Sequence, residues 1–271
     1  MDKPLISIII PALNEEHFLP NLLESLSKQT SKNFEVIVVD GRSKDKTVEK
    51  AKEFEKTLPK LTVIVADHAN LPYQRNLGAQ KAAGEWFVFL DADNEMLPYA
   101  LDRIAVFVKE KNPAFFTSWT RPDSEIINDT LFALFSNAIL EGSILVKRPF
   151  SPGPFTGVSK RIFEEVSGYT AGLQWGEDVD FSAKIKKAGY SFSILREVLY
   201  IWSMRRLRKE GKLKFIQQAA KATFYFLITN KAFTSGYEMG GHMYGKKKKV
   251  NSSVLKRFST TLGKLMKEVF E

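Results

Sequence analysis

Apolar and polar positions alternate between two periods over the first 110 residues. Residues 5–10 form an isoleucine-rich apolar run of the kind buried in a parallel sheet. Residues 14–28 then carry Phe18, Leu22, Leu23 and Leu26 at helical spacing. The alternation repeats three times. It predicts strands over residues 34–40, 61–66 and 86–90 and helices over 44–57, 72–83 and 98–110. Short links between such elements predict an α/β domain, a doubly wound and mostly parallel sheet flanked by helices.

The pattern is less regular from Pro113 to about Trp202. Strands are expected over 115–120, 191–195 and 198–202, and helices over 129–141, 161–166 and 178–188. Residues 147–155, rich in proline and glycine, read as a loop. No repeat or clear linker interrupts this stretch, so it is assigned to the same domain. An apolar-rich helix over 213–233 carries too many polar groups for a simple membrane span. Residues 253–270 place Val254, Leu255, Phe258, Leu262, Leu265, Met266, Val269 and Phe270 along one stripe, opposite basic side chains.

The chain has 271 residues, 44% hydrophobic and 26% charged, enough to bury a core without staples. It has no cysteine, which excludes disulfides, thiolate catalysis and cysteine-ligated zinc. The start lacks a basic, then apolar, signal-peptide pattern, so a cytoplasmic protein is the expectation. The net charge of +9 points to an anionic partner. Its excess lies from Arg205 onward and includes the run 246–249, so it belongs to a C-terminal segment rather than a catalytic groove. No module combining basic residues with stacking aromatics is evident, and nucleic acid is not an expected partner.

In sheets of this type, ligands bind beyond the carboxyl ends of the strands. That rule gathers residues 11–14, 40–43, the loop near Asp67 and residues 91–94 into one neighbourhood. Asp91 and Asp93 follow a buried strand directly, where two carboxylates can share magnesium or manganese with a diphosphate. Asp40 ends the second strand, as an acceptor for a base N–H or as a helix cap. Asn14 and Glu15 are likewise placed to cap the first helix. Arg75, followed by Asn76, can grip phosphate, pair with Asp91 and Asp93, or lie plainly on the surface. In Trp175-Gly176-Glu177-Asp178, glycine permits close backbone approach to a ligand. Asp178 is either a helix cap or a general base.

Together these stretches resemble family 2 glycosyltransferases, which have the GT-A fold. The residues that carry the resemblance are Ile10-Pro11-Ala12-Leu13-Asn14-Glu15-Glu16, Val38 to Thr47 with Asp40 and Ser43, Arg75-Asn76-Leu77-Gly78, Phe89-Leu90-Asp91-Ala92-Asp93 and Gly176-Glu177-Asp178. They occur in the family's order over roughly residues 5–204. The resemblance implies that Pro11, Ala12, Asn14, Glu15, Asp40, Ser43, Arg75 and Asn76 line the pocket of a UDP- or GDP-sugar, with Asp91, Ala92 and Asp93. It implies that Asp91 and Asp93 hold the metal, that Asp178 is the base and that the anomeric carbon inverts.

Two positions depart from the family pattern. Gly41 stands where a second aspartate is frequent, and no histidine follows the base helix to complete a metal site. Arg205 and Arg206 stand in that stretch as phosphate contacts, in a pattern similar to a bacterial subgroup, and His242 is a remote ligand candidate.

The expected organisation is a GT-A domain over 1–205 and a basic amphipathic helical extension over 206–271. Within the domain, 1–110 binds the nucleotide sugar and 111–205 the acceptor. The extension would anchor to an anionic membrane surface on its inner face, pack on the catalytic domain, or pair two subunits. A membrane location suits a lipid-linked acceptor, and the loop 147–156 is a candidate acceptor wall. The competing classes are a nucleotidyltransferase acting on a sugar phosphate and a non-enzymatic basic scaffold.

Overall fold

The computed structural model describes residues 4–145, 147–173, 176–205 and 208. Four parallel strands form its first half: β1 (Ile6–Ala12), β2 (Phe34–Asp40), β3 (Leu61–Val65) and β4 (Trp86–Leu90). They lie in the order β3-β2-β1-β4. Successive side chains point to opposite faces. Ile8, Ile10, Val36, Val38, Val88 and Leu90 therefore enter one core with Leu22, Leu23, Leu26 and Leu101. Ile9, Ile37, Val39, Phe87 and Phe89 enter a second core with Ala79, Phe163 and Phe181. Burial on both faces explains why these strands read as unbroken apolar runs.

The helices connecting these strands are α1 (Leu19–Ser27), α2 (Thr47–Lys52) and α3 (Leu71–Lys81). α1 starts five residues later than its periodicity predicts. Asn14 is the reason: its φ of 54° is left-handed, and the chain turns there before entering the helix. Residues 13–18 are thereby freed to form a loop at the strand edge.

The sheet extends beyond β4 to eight strands, in the order β4-β7-β6-β8-β5. The added strands are β5 (Glu95–Met96), β6 (Phe115–Pro122), β7 (Phe155–Ser159) and β8 (Phe192–Trp202), with helices α4 (Ala100–Lys111), α5 (Ile127–Leu145), α6 (Lys160–Glu165) and α7 (Glu177–Lys187). β7 runs antiparallel to both β4 and β6, and β5 runs antiparallel to β8. The sheet is therefore parallel in its first half and mixed in its second. Neither β7 nor the two-residue β5 was expected from the sequence. Gly157 makes β7 resemble a loop, yet it is required there. A Cβ at this position would lie 2.3 Å from the Phe116 ring on the neighbouring strand. The two strands expected over 191–202 are one, and shifts in its pairing with β6 fall between Ser118 and Thr120.

No helix among the described residues is long and apolar enough to cross a membrane. Apart from Arg208, the extension expected over 206–271, with His242, lies outside the described residues.

Helix α3 carries Gln74 and Arg75 into the edge where β1, β2 and β4 end, and Gly78 sets how closely it can approach. A Cβ on Gly78 would lie 2.5 Å from Ile9 Cγ2 and 3.1 Å from Val39 Cγ2. Gly78→Ala should therefore push α3 outward and destabilise the protein by about 1–3 kcal/mol. Urea unfolding would measure the loss, and an unchanged midpoint would contradict this packing.

Candidate active site

The loops after β1 and β2 are tied into one floor. The Asn14 amide N–H donates to Ser43 Oγ (2.8 Å), and Asn14 Oδ1 accepts from the Lys44 N–H (2.8 Å). Ser43 N–H donates to Asp40 Oδ2 (2.9 Å). Thr47 Oγ1 accepts from the Glu15 N–H (2.7 Å). None of these side chains caps a helix: the N-cap residues of α1 and α2 are Phe18 and Lys46, both without a side-chain cap bond. Pro11 and Ala12 end β1 and are buried. Asp40 is buried, and its second oxygen, Oδ1, has no partner within the protein. A buried carboxylate oxygen left open in this way is placed to accept a ligand's N–H or O–H.

The floor also accounts for Gly41. Gln74 Nε2 donates to the carbonyls of Ala12 (3.0 Å) and Val39 (2.7 Å), which pins its amide under the loop. A Cβ on residue 41 would lie 2.9 Å from Gln74 Oε1. An aspartate there would have to displace this clamp.

The second part of the site is acidic. Asp91, Ala92 and Asp93 leave β4 in a turn, with Ala92 buried beneath. Arg75 lies fully buried behind them, not on the surface. Its Nη1 donates to Glu177 Oε1 (3.1 Å) and its Nη2 to Asp91 Oδ1 (3.3 Å) and the Gly153 carbonyl (3.0 Å). Its guanidinium also lies 5.1 Å from the centre of the Tyr169 ring. Asn76 does not join this cluster directly. Both ends of its amide are taken by the backbone of Tyr169, at 2.8 and 2.9 Å. It thereby holds the tyrosine on which Arg75 rests.

Arg205 answers the other acids. Its Nη atoms bind both oxygens of Glu15 (2.8 and 2.5 Å), and its Nε lies 2.7 Å from Asp93 Oδ2. The guanidinium carbon sits 4.2 Å from the Phe18 ring centre. Glu177 and Asp178 open α7, whose cap is Gly176 at φ 75°. Asp178 Oδ2 accepts from the Gly153 N–H (3.2 Å) and Oδ1 from the Val179 N–H (2.8 Å). Asp178 is half-buried, whereas Glu177 is buried against Arg75.

Crowding and burial raise the proton affinity of these acids. Burial, with nearby Asp91 and Glu15, outweighs Arg205 and pushes Asp93 up to about 7. Burial and Asp178 push Glu177 up to about 7 despite Arg75. Burial likewise raises Glu15 and Asp178. Both arginines stay charged: their carboxylate partners outweigh the cost of burial.

Several contributors are marked in the sequence only as parts of the ranges 91–94 and 147–156, without a role of their own. The Pro154 carbonyl accepts from the Asp91 N–H (3.3 Å) and from Asn94 Nδ2 (2.6 Å), so the loop 151–154 is bonded to the Asp91 turn and to Asp178 alike. Asn94 is fully buried and its Oδ1 is open. Trp175 and Arg206 lie outside the described residues. Among the described residues, no three acidic or histidine side chains gather as a metal site.

The sequence pattern of the family described as "Glycosyl transferase family 2" matches residues 7–167, which span the floor, the Asp91 turn and the loop 151–154. The chain belongs to that family. The family is described by glycosyl transfer, not by either competing class, nucleotidyl transfer or a scaffold role.

Among similar proteins, an uncharacterized glycosyltransferase of Haemophilus influenzae is 30% identical over 185 residues, 67% of this chain and 62% of that protein. A PGL/p-HBAD biosynthesis glycosyltransferase of Mycobacterium tuberculosis is 38% identical over 116 residues, 42% of this chain and 45% of that protein. The chain thus matches less than two thirds of the length of these relatives. Two solved structures share the GT-A fold of this chain. S. aureus TarS in complex with UDP has a TM-score of 0.60 at 21% identity, covering 73% of this chain and 60% of that one. The mannosyltransferase PcManGT from Pyrobaculum calidifontis, in complex with GDP-Man and Mn2+, has a TM-score of 0.63 at 19% identity, covering 82% and 65%.

Removing the buried cation should cost stability as well as alter the site. Arg75→Ala leaves Glu177 buried without its partner, a change worth about 3 kcal/mol or more. Chemical denaturation of the variant would measure the loss. Unfolding at the midpoint of the unaltered protein would show that the contact carries no weight.

Proposed function

We propose that the chain transfers a sugar from a nucleoside-diphosphate sugar to an acceptor hydroxyl or phosphate, with inversion at the anomeric carbon. The observation that carries this reading is the separation of two acidic groups on one edge. Asp91 and Asp93 share a turn at the end of β4, while Asp178 stands on another element, joined to that turn through the loop 151–154 and through Arg75, which bridges Asp91 and Glu177. One group suits a diphosphate and a cation. The other suits an acceptor.

On this reading the nucleoside rests on the floor of Pro11, Ala12, Asn14, Ser43 and Asp40, with Asp40 Oδ1 open to the base. UDP and GDP are the candidate nucleotides, since the similar structures carry UDP, UDP-GlcNAc and GDP-Man. Asp91 and Asp93 would hold magnesium or manganese. Their oxygen-only chemistry fits a hard divalent ion whose remaining positions are filled by phosphate oxygens and water. Bound there, the ion would offset the charge that develops on the leaving diphosphate. Arg205 is placed beside the same phosphates, and its contacts with Glu15 and Asp93 would loosen as the donor arrives.

Transfer to a hydroxyl is a single displacement. The acceptor oxygen bonds to the anomeric carbon as the bond from that carbon to the diphosphate oxygen breaks, and Asp178 takes the acceptor's proton. Raised proton affinity suits this task, because a base works best when its pKa approaches the operating pH. Glu177 is held on Arg75 and positions that cation. The acceptor side would be formed by the loop 147–156, and a lipid-linked acceptor fits a protein working peripherally on the inner face of a membrane.

Asp178→Asn should lower turnover by about 10²–10⁴-fold with donor affinity unchanged. Equal turnover by the variant, or loss of donor binding in step with turnover, would contradict the role. Asp178 works ionised, and burial raises its pKa. Turnover should therefore fall as pH drops through a value above the ordinary aspartate figure of about 4. A pH profile flat down to that figure would exclude Asp178 as the group that titrates.

A further inference from the structure

Helix α5 shows an apolar face that the fold does not cover. Ile127, Leu131, Leu134, Phe135 and Leu145 are all exposed, Ile127 by 75% and Leu145 by 83%. Their spacing places them within about a quarter turn of one line along the helix. Ala138 and Gly142 fall on the same line, and a Cβ on Gly142 would meet nothing within 4 Å. The face runs the length of the helix, 19 residues or about 28 Å, with Glu141 at its edge held by Arg196 and Trp119. The opposite face is packed: Ala133, Leu140 and Ser143 are buried, and Asn137 bonds the backbone of Thr120. Contiguous apolar surface of this kind marks an interaction site.

The distribution of charge identifies the partner. Residues 1–208 contain equal numbers of basic and acidic side chains, twenty-seven of each. The whole net charge of +9 therefore belongs to residues 209–271, where thirteen basic residues face four acidic ones. That segment begins where α5 begins. Arg208 is bound to Asp123 (2.8 and 2.6 Å), just before α5, and to Asp129 (3.4 Å) in its first turn. At the other end of α5, Lys147 is exposed and its carbonyl accepts from Lys186 Nζ (2.5 Å). Arg208 itself is neutralised by Asp123 and Asp129, so the positive charge at that end is carried by the segment that follows it, with Lys147 at the other end. An apolar face flanked by such charge matches an interface between acyl chains and anionic headgroups.

We propose that the exposed face of α5 docks on an anionic lipid surface, drawn there by the cationic segment that follows Arg208. The chain leaving α5 leads through residues 147–152 to Gly153, whose N–H donates to Asp178. Docking would thus hold the acceptor side of the site close to the membrane.

The chain has no cysteine, so single labels can be placed in the full-length protein without background. A polarity-sensitive dye on Phe135→Cys would be compared with one on Glu110→Cys, an exposed position on α4. Vesicles of phosphatidylcholine and phosphatidylglycerol in equal parts would be set against phosphatidylcholine alone. The proposal expects the dye at 135, and not at 110, to shift to an apolar signature on the anionic vesicles only. It also expects Leu134→Asn with Phe135→Asn to lower vesicle partition about tenfold or more with unchanged thermal unfolding.

Four results would overturn it. The first is no partition into anionic vesicles. The second is partition with the dye at 135 still in water, meaning the cationic segment binds alone. The third is shielding at 135 without vesicles that grows with protein concentration, meaning a second copy covers the face. The fourth is such shielding independent of concentration, meaning the chain's own C-terminal segment covers it. None of these readouts uses sugar transfer, so failure here leaves the proposed reaction standing.

Discussion

Five carboxylates crowd the edge where β1, β4 and α7 meet, and two guanidinium groups answer them. Glu15, Asp91, Asp93, Glu177 and Asp178 share the neighbourhood with Arg75 and Arg205. The surplus of negative charge is the constraint from which the rest follows. Added to burial, which is the larger cause, it lifts the proton affinity of Asp93 and Glu177 to about 7, and each arginine contacts two acids. It also bears on any donor. A nucleoside diphosphate brings more negative charge to an edge that already repels it. On the proposed reading, a divalent cation bound with the donor would supply the neutralisation.

The fold is organised around keeping that edge rigid. Gly78 lets α3 lie directly on β1 and β2, so that Gln74 clamps two strand carbonyls and Arg75 reaches behind β4. Asn76 holds Tyr169 beneath the same guanidinium. The loop 151–154 closes the arrangement by bonding to the Asp91 turn on one side and to Asp178 on the other. Three consecutive residues of one helix therefore hold the floor after β1 and β2, the acidic cluster and Tyr169 in register.

Much of this was legible in the sequence, for a physical reason. Strands buried on both faces must be continuous apolar runs, so β2 and β4 fall where the pattern puts them, and the strand-end rule then gathers Asp40, Asp91 and Asp93 without further information. What was not legible depends on contacts between distant segments. β7 hides behind Gly157, whose small size is a response to Phe116 on another strand. Gly153 and Pro154 act through backbone groups, which carry no residue signature. Arg205 could be read as a phosphate contact, but its double grip on Glu15 and Asp93 spans 190 positions along the chain. Gly41, a departure from the family pattern in sequence, is explained only once Gln74 is seen beneath it.

Whether the acidic edge needs a cation to accept a diphosphate is the claim most open to direct measurement. Titration calorimetry of the full chain with UDP and with GDP, in manganese and in chelator, measures it without reference to any acceptor. The account predicts that one of the two nucleotides binds in manganese, that binding in chelator is at least about tenfold weaker, and that Asp91→Ala with Asp93→Ala removes the difference. Equal affinity in manganese and in chelator for the unaltered protein would contradict it.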